Sequence, residues 1–255
     1  MKPFPHRLLS SAFAALTFIA TTVFAADPVA PAAPATPMTW GAGTKVLLVG
    51  GGSSHDYNRW FNLADSATLQ AAGCSVNYTE DGDATARELP HVDVAVLSVN
   101  RRAWATPALR QALFDFVAAG KGLVLLHPGL WYNFGDWPEY NRVLCGGGAR
   151  GHDATAEFSV HTLKAGHPVM KGVPSGFKIT DELYYLTPDE KGTPLEVLAE
   201  TSPSKKFKTP HPSVFVVKHP QARIIGLTLG HDGRAHDLAE YKTLLINSVK
   251  WSAGK

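Results

Sequence analysis

The stretch LVLLHPGLWYN, residues 123–133, is an unbroken aliphatic run that ends in a histidine, a proline and two aromatic residues. Consecutive Leu and Val residues are typical of a strand that is buried on both faces of a parallel sheet. In open parallel sheets, ligands bind beyond the carboxyl ends of the strands. The stretch therefore predicts a parallel α/β sheet with His127 at its ligand-binding edge.

Short apolar strands and amphipathic helices alternate along the chain before this stretch. Strands are predicted at residues 46–49, 76–79 and 94–97, and after the stretch at 158–161, 177–179, 195–199, 214–217 and 224–229. The first predicted helix ends at Gly73, and its apolar face carries Trp60, Leu63, Ala64, Ala67 and Ala71. The second begins at the N-cap Thr106 and ends at Gly120. The last carries Leu238, Tyr241, Leu245 and Val249. This alternation predicts an α/β doubly wound, mostly parallel sheet with helices on both faces.

The first 44 residues have the composition of an export signal followed by a tether. Lys2 and Arg7 precede an apolar run over residues 8–24, which ends in a small-x-small cleavage pattern typical of a secretory signal peptide. Residues 26–44 are rich in Pro and Ala and are interpreted as a linker. We therefore expect a signal peptide over 1–25, a globular domain over 45–255, and a periplasmic or secreted protein without a membrane span in the mature chain.

The charge balance disfavours several classes of partner. Without Lys2 and Arg7, the Lys and Arg residues equal the 22 Asp and Glu residues in number, and no basic run occurs. Nucleic acids and anionic membrane surfaces are therefore poor candidates for partners, and we expect a small-molecule carbohydrate instead. The two cysteines, Cys74 and Cys145, are far apart in sequence, and neither a disulfide nor the oligomeric state follows from the pattern.

Three predicted strands deliver a histidine to the same edge of the sheet. His55 follows the first strand, His127 the fourth and His231 the last. Each of them alone is better explained as a strand cap that bonds to backbone, but the set favours a functional site. Imidazoles at such an edge suit proton transfer or the binding of a divalent metal ion.

The remaining candidate residues come from loops and from the strand-rich second half. His127, His231, Asp181 and Glu182 are the candidate catalytic groups, and His55 and His152 are the candidate metal ligands. Asp181 and Glu182 point to opposite sides if they lie on a strand, so one of them is expected to face the crevice.

Trp131, Tyr132 and Tyr184 are candidate sugar-binding residues, because aromatic faces with polar tips suit sugar rings. A lid packed on the sheet explains the aromatic residues equally well. His161, His211, His219 and His236 are interpreted as surface or strand residues.

Several motifs together resemble the ThuA-like, trehalose-utilisation family. These are LVLLH (123–127), CGGGARGH (145–152), HPV (167–169), DELYY (181–185), TLGHD (228–232) and LLINSVKW (244–251). The resemblance covers residues 45 to about 254 and implies a flavodoxin-like fold related to class I glutamine amidotransferases. It also implies a role in sugar or glycoside metabolism, often beside oxidoreductases that make 3-keto sugars.

Two residues required for glutaminase chemistry are missing. Amidotransferases place a cysteine on the turn after the strand, where this chain has His127-Pro128-Gly129, and the late His-x-Glu is replaced by His231-Asp232-Gly233. No thiol nucleophile with its base is present, so we expect no glutaminase activity.

The sequence is compatible with two functions. The first is an exported enzyme that acts on a keto-sugar or glycoside by isomerisation, elimination or hydrolysis, with His/carboxylate acid–base chemistry and a possible divalent metal ion. The second is a non-catalytic sugar-binding or accessory protein that has kept the crevice.

Overall fold

The structure is a computed structural model that describes residues 36–100, 102–131 and 135–254. The predicted signal peptide, most of the predicted linker and Tyr132 lie outside the described residues.

Nine of the eleven strands form one sheet with the order β2-β1-β3-β4-β11-β10-β9-β6-β7, and β5 pairs with β8 in a second sheet. The strands are β1 (Thr44–Val49), β2 (Cys74–Thr79), β3 (Val94–Leu97), β4 (Gly122–Leu126), β5 (Gly147–His152), β6 (Ala156–Thr162), β7 (Gly176–Asp181), β8 (Tyr184–Pro188), β9 (Leu195–Thr201), β10 (Pro212–Val217) and β11 (Ile224–Leu227).

The first five strands in the sheet order, β2 to β11, pair in parallel. Every residue of β3, β4 and β11 is buried, as expected for parallel strands covered on both faces. The remaining pairs, from β11 to β7, are antiparallel, so β9 and β7 point in the same direction as the parallel strands. The doubly wound α/β prediction is confirmed.

Helices cover both faces of the parallel strands. They are α1 (Ser66–Ala71), α2 (Gly82–Glu88), α3 (Pro107–Ala118), α4 (Gly233–His236) and α5 (Ala239–Ser252). Along β1, Val46 and Leu48 join one apolar cluster with α5, whereas Leu47 and Val49 join another with α3. This alternation follows from the two-residue period of a strand.

The first predicted helix has a different apolar face from the one expected. Its first part, Asn58–Asp65, is π-helical and runs directly into α1. The helix buries Phe61, Asp65 and Leu69, whereas Leu63 is 59% exposed. The prediction of Leu63 on the buried face was therefore wrong, because the side of the helix that packs against the core carries these three residues and not Leu63.

The end of the predicted linker is attached to the domain. The Met38 backbone N–H and the Trp40 indole N–H both donate to the Glu88 carboxylate. Cys74 and Cys145 are separate free thiols. The part of the chain that the structure describes contains no helix that is long and apolar enough to cross a bilayer.

Candidate metal centre

His127 lies at a tight elbow between β4 and the short 3₁₀ turn His127–Leu130. Its backbone has φ of +41°, which is uncommon for a residue other than glycine. The elbow also needs Gly129, because a methyl group there would lie 2.1 Å from the Leu97 carbonyl oxygen. The His127 side chain is fully buried, and its Nδ1 lies 2.6 Å from the Thr228 carbonyl oxygen. Since a carbonyl only accepts, Nδ1 donates a hydrogen to it, and Nε2 is the nitrogen left for another ligand.

Four side chains bring one nitrogen or oxygen atom each to the same point. They are His55, His127, Glu182 and His231, and these atoms lie within 4.8 Å of one another. Glu182 Oε2 is 3.6 Å from His127 Nε2 and 3.3 Å from His231 Nδ1. The His55 ring centroid is 4.9 Å from those of both His127 and His231.

The strand-rich half of the chain supplies the carboxylate. Glu182 directly follows β7, which lies four places from β11 in the sheet order. Even so, the neighbouring Asp181 accepts hydrogen bonds from the backbone N–H groups of Gly230 and His231, 2.7 and 3.1 Å away. The antiparallel strands therefore bring the end of β7 against the loop after β11.

Each of the three imidazoles in this group has one nitrogen outside the hydrogen-bond network. His55 Nε2, His127 Nε2 and His231 Nδ1 are buried and have no well-aligned hydrogen-bond partner among the described residues. Buried polar atoms normally have one, so three such atoms around a single carboxylate need an explanation. Imidazole nitrogens and a carboxylate oxygen are the ligands that zinc and similar divalent metals take in proteins. The residues present therefore fit a divalent metal ion.

The protonation of the group favours a cation. Burial, together with His127 and His231, lowers the pKa of His55 to about 2, so its imidazole is neutral. Burial alone would raise the pKa of Glu182, but the adjacent His127 and His231 imidazoles hold this pKa far below its ordinary value. In return, the Glu182 carboxylate raises the pKa of His231. Glu182 is therefore ionised, and its negative charge favours the binding of a cation.

Residues around the group orient its imidazoles. The second nitrogen of His55, Nδ1, lies 2.7 Å from the Ser54 hydroxyl oxygen, just as Nδ1 of His127 is held by the Thr228 carbonyl. Such contacts on the second ring nitrogen are the usual way in which metal-binding histidines are held. Of the two adjacent carboxylates, Glu182 joins the group, whereas Asp181 is buried beneath the loop.

His152 lies beside the group and outside it. Its Nδ1 is 2.9 Å from the Asp153 carbonyl oxygen and 3.4 Å from Glu182 Oε1. The side chain is 34% exposed. A hydrogen on Nδ1 satisfies both oxygens, so Nε2 is left for proton exchange with a bound molecule.

A pocket of about 250 Å³ opens beside this group and is lined by three of its four side chains, all but His127. Its lining consists of Ser54, His55, Asn100, Trp131, His152, Glu182, Tyr184 and His231. Trp131 and Tyr184 form an aromatic wall with ring centroids 5.4 Å apart, and burial keeps the pKa of the Tyr184 phenol well above its ordinary value. Ser54 and Asn100 form a polar wall, since the Asn100 amide N–H donates to the Ser54 hydroxyl over 2.6 Å.

Sequence reasoning missed Ser54, Asn100 and a buried pair formed by Asp65 and His236. The prediction that His236 is a surface or strand residue was wrong, because His236 is 1% exposed. Nothing in the sequence around His236 indicates this burial. Asp65 did leave a signal: it is a charged residue spaced four positions from both Phe61 and Leu69, which form a buried stripe.

Comparisons with known proteins cover nearly the whole described chain. The ThuA family model, described as trehalose utilisation, matches residues 45–252. A protein from Parabacteroides merdae described as ThuA-like is 23% identical, with a TM-score of 0.73 over 84% of this chain and 91% of its own. A second, from Bacteroides uniformis, is 20% identical, with a TM-score of 0.69 over 86% and 95%.

A more distant likeness reaches the glutamine amidotransferases. A Thermoplasma acidophilum protein described as part of a GMP synthase is 11% identical, with a TM-score of 0.53 over 84% of this chain and 96% of its own. At these identities the likeness concerns the fold alone. No curated protein matches the sequence.

Proposed function

The chain belongs to the ThuA, or trehalose utilisation, family, and on this basis we propose that it is a metal-dependent enzyme that acts on a keto-sugar or glycoside. One observation carries the proposal. Three buried imidazole nitrogens without hydrogen-bond partners among the described residues surround one carboxylate at the bottom of a pocket. A metal ion held by His55, His127, His231 and Glu182 would give all three nitrogens a partner at once.

The bound metal would polarise a sugar oxygen or lower the pKa of a bound water molecule. The chain supplies the proton transfer. His152 lines the pocket with Nδ1 held by the Asp153 carbonyl, so its Nε2 is available to remove a proton from a carbon next to a ketone or to protonate a departing oxygen. Isomerisation, elimination and hydrolysis all include such a proton transfer, so His152 could serve in any of them.

The two walls of the pocket suit a sugar ring. Trp131 and Tyr184 offer apolar faces for the ring carbons, and Ser54 and Asn100 offer polar groups for its oxygens. The pocket is smaller than the roughly 300 Å³ at the lower end for drug-sized ligands, so it suits a single ring or one end of a longer glycoside.

The polar wall favours an oxygen that accepts hydrogen bonds. Tyr57 donates to Asn100 Oδ1 over 2.8 Å, and the Asn100 amide donates to Ser54. When His55 binds a metal through Nε2, its Nδ1–H also donates to Ser54. The Ser54 hydroxyl then accepts twice, and its own hydrogen is left for the Tyr57 hydroxyl oxygen, 3.4 Å away, or for a bound ligand such as a ketone oxygen.

The proposal is tested by turnover with and without metal. Purified protein is stripped with a chelator, reloaded with Zn²⁺, Mn²⁺ or Co²⁺, and assayed on 3-keto glycosides and on the parent glycosides. We expect turnover only with metal, loss of turnover in His127→Ala, and full turnover in the control His161→Ala, because His161 is exposed on β6.

Two results would contradict the proposal. Equal turnover by stripped and reloaded protein would show that the reaction does not require the metal. Binding of a sugar without turnover of any substrate by the loaded protein would instead support the non-catalytic sugar-binding alternative.

A further inference from the structure

A buried ion pair lies behind the candidate metal centre, between the π-helical segment and the loop after β11. His236 Nδ1 is 2.7 Å from Asp65 Oδ1, and the Tyr241 hydroxyl donates to Asp65 Oδ2 over 3.0 Å. All three side chains are at most 1% exposed. None of them lines the pocket that contains the proposed metal ligands.

The hydrogen bonds of His236 define its charge. Nδ1 faces a carboxylate oxygen, and Nε2 is 3.0 Å from the Gly230 carbonyl oxygen. Both partners are acceptors, so both ring nitrogens carry hydrogen and the ring is an imidazolium. Although burial opposes the charge, the Asp65 carboxylate outweighs burial and raises the pKa of His236.

The Gly230 carbonyl belongs to the backbone that carries the proposed ligand His231. The N–H groups of Gly230 and His231 donate to Asp181, and the carbonyl of Gly230 accepts from His236. The short loop is therefore held by a carboxylate at its N–H groups and by an imidazolium at its carbonyl. Both contacts fix where the His231 imidazole is presented.

Stability alone is a poor explanation for such a pair. Removing two charges from water is costly, and well-packed apolar residues of similar volume often stabilise a core equally well or better. The surroundings would suit an apolar residue, since Trp60, Phe61 and Tyr241 pack around the His236 ring with centroids 5.9, 4.9 and 4.7 Å away. The pair is better explained by the geometry that it imposes on the loop.

We infer that Asp65 and His236 are positioning residues of the metal centre, which hold the Gly230–His231 loop so that His231 binds the metal. This inference rests on the proposed function, because it requires that His231 is a ligand. Outer contacts of this kind typically contribute about 10- to 100-fold in metal affinity.

The test compares Co²⁺ binding by the wild type with that of the double variant Asp65→Asn/His236→Phe. The double variant removes both charges together and keeps a ring inside the aromatic surroundings, so no unpaired charge is left in the core. We expect its Co²⁺ affinity to fall about 10- to 100-fold, with changed Co²⁺ absorption bands. The variant Asp65→Asn/His236→Gln, which restores an amide N–H toward the Gly230 carbonyl, should regain part of the affinity.

Tyr241→Phe is the matched control. It removes a hydrogen bond to the same carboxylate but leaves both His236 hydrogen bonds in place. We expect a lower melting temperature with an unchanged Co²⁺ spectrum and affinity. If the double variant does not fold, His236→Phe alone is measured, and the same loss of affinity is expected because the Gly230 carbonyl loses its donor.

The outcomes separate this inference from the proposed function. Wild-type Co²⁺ affinity and spectrum in a folded Asp65→Asn/His236→Phe variant would overturn the positioning role and leave the metal centre intact. Absence of Co²⁺ binding by the wild type would overturn the proposed function and, with it, this inference.

Discussion

At the scale of single residues, the site depends on which nitrogen of each imidazole is already used. His127 gives Nδ1 to the Thr228 carbonyl, and His55 places Nδ1 against Ser54, so both direct Nε2 to the same point. His152 gives its Nδ1 to the Asp153 carbonyl and stays at the wall of the pocket. In the proposed function, the same residue type therefore serves metal binding and proton transfer according to its hydrogen-bond partners.

Replacing His152 should separate these two roles. We expect His152→Ala to lose about 10²- to 10⁴-fold in kcat, the usual contribution of a general acid or base, with unchanged metal content. Turnover and metal stoichiometry are measured on the same preparation. Loss of the metal together with activity would show that His152 is a ligand instead.

Metal affinity should increase with pH. The Glu182 carboxylate raises the pKa of His231, so a proton competes with the metal for this nitrogen up to higher pH than at an ordinary histidine. His55 adds no competition near neutrality, since its pKa is lowered to about 2. Titration with Zn²⁺ between about pH 6 and pH 9 should give affinity that rises and then levels off above the pKa of His231. A constant affinity over this range would contradict the assignment of His231 as a ligand.

At the scale of secondary structure, β11 links the core to the site. It lies between β4 and β10 and leads into the loop with Thr228, Gly230 and His231. Its Gly226 faces the Phe215 ring of β10 so closely that an added methyl group would lie 2.1 Å from Phe215 Cζ. The position of the loop thus depends on a contact within the sheet.

Gly226→Ala should therefore destabilise the domain by about 1–3 kcal/mol, the usual cost of overpacking a core. Gly166→Ala is the control, because Gly166 is exposed and a methyl group there meets no atom within 4 Å. The control should change the free energy of unfolding by about 0.5 kcal/mol or less. Chemical denaturation measures both, and equal stability of the two variants would refute the packing argument.

The parallel half of the sheet and its histidine-bearing edge could be predicted from sequence because strand ends are local features. Aliphatic runs mark β1, β3 and β4, and the residues that follow them include His55 and His127. The approach of Glu182 to these histidines depends on long-range pairing of antiparallel strands, which no local pattern specifies. The burial of His236 depends on its contact with Asp65, 171 residues earlier in the chain, which no local pattern specifies.

At the scale of the whole molecule, the proposed metal centre joins distant parts of the chain. His55 follows β1, His127 follows β4, Glu182 follows β7 and His231 follows β11. An ion bound by all four cross-links both halves of the sheet. Such a ligand stabilises the folded state over the unfolded chain.

Removal of the metal should lower the melting temperature. A ligand at 100 times its Kd stabilises the folded state by about 2.7 kcal/mol, which for a domain of this size corresponds to a shift of about 5–10 °C. Calorimetry of chelated and reloaded wild type measures the shift, and Glu182→Gln should show a smaller one. An identical melting temperature with and without metal would speak against a cross-linking ion.

Export remains a prediction from the sequence. The predicted signal peptide over residues 1–25 lies outside the described residues. We expect the mature chain to begin near Ala26 in the periplasm or the medium, because the cleavage pattern ends at Ala25. Mass spectrometry of the protein from its native cells decides this, and an intact segment from Met1 would refute it.

Anomalous diffraction from crystals of the zinc-loaded protein gives the most direct view of the metal centre. Data collected on both sides of the zinc absorption edge should show one peak per chain, within about 2.3 Å of His55 Nε2, His127 Nε2, His231 Nδ1 and a Glu182 oxygen. Crystals of Glu182→Gln grown in the same way should show a weaker peak or none. A peak bound to other residues, or no peak in crystals of the fully loaded wild type, would contradict the assignment of these four side chains as a metal centre.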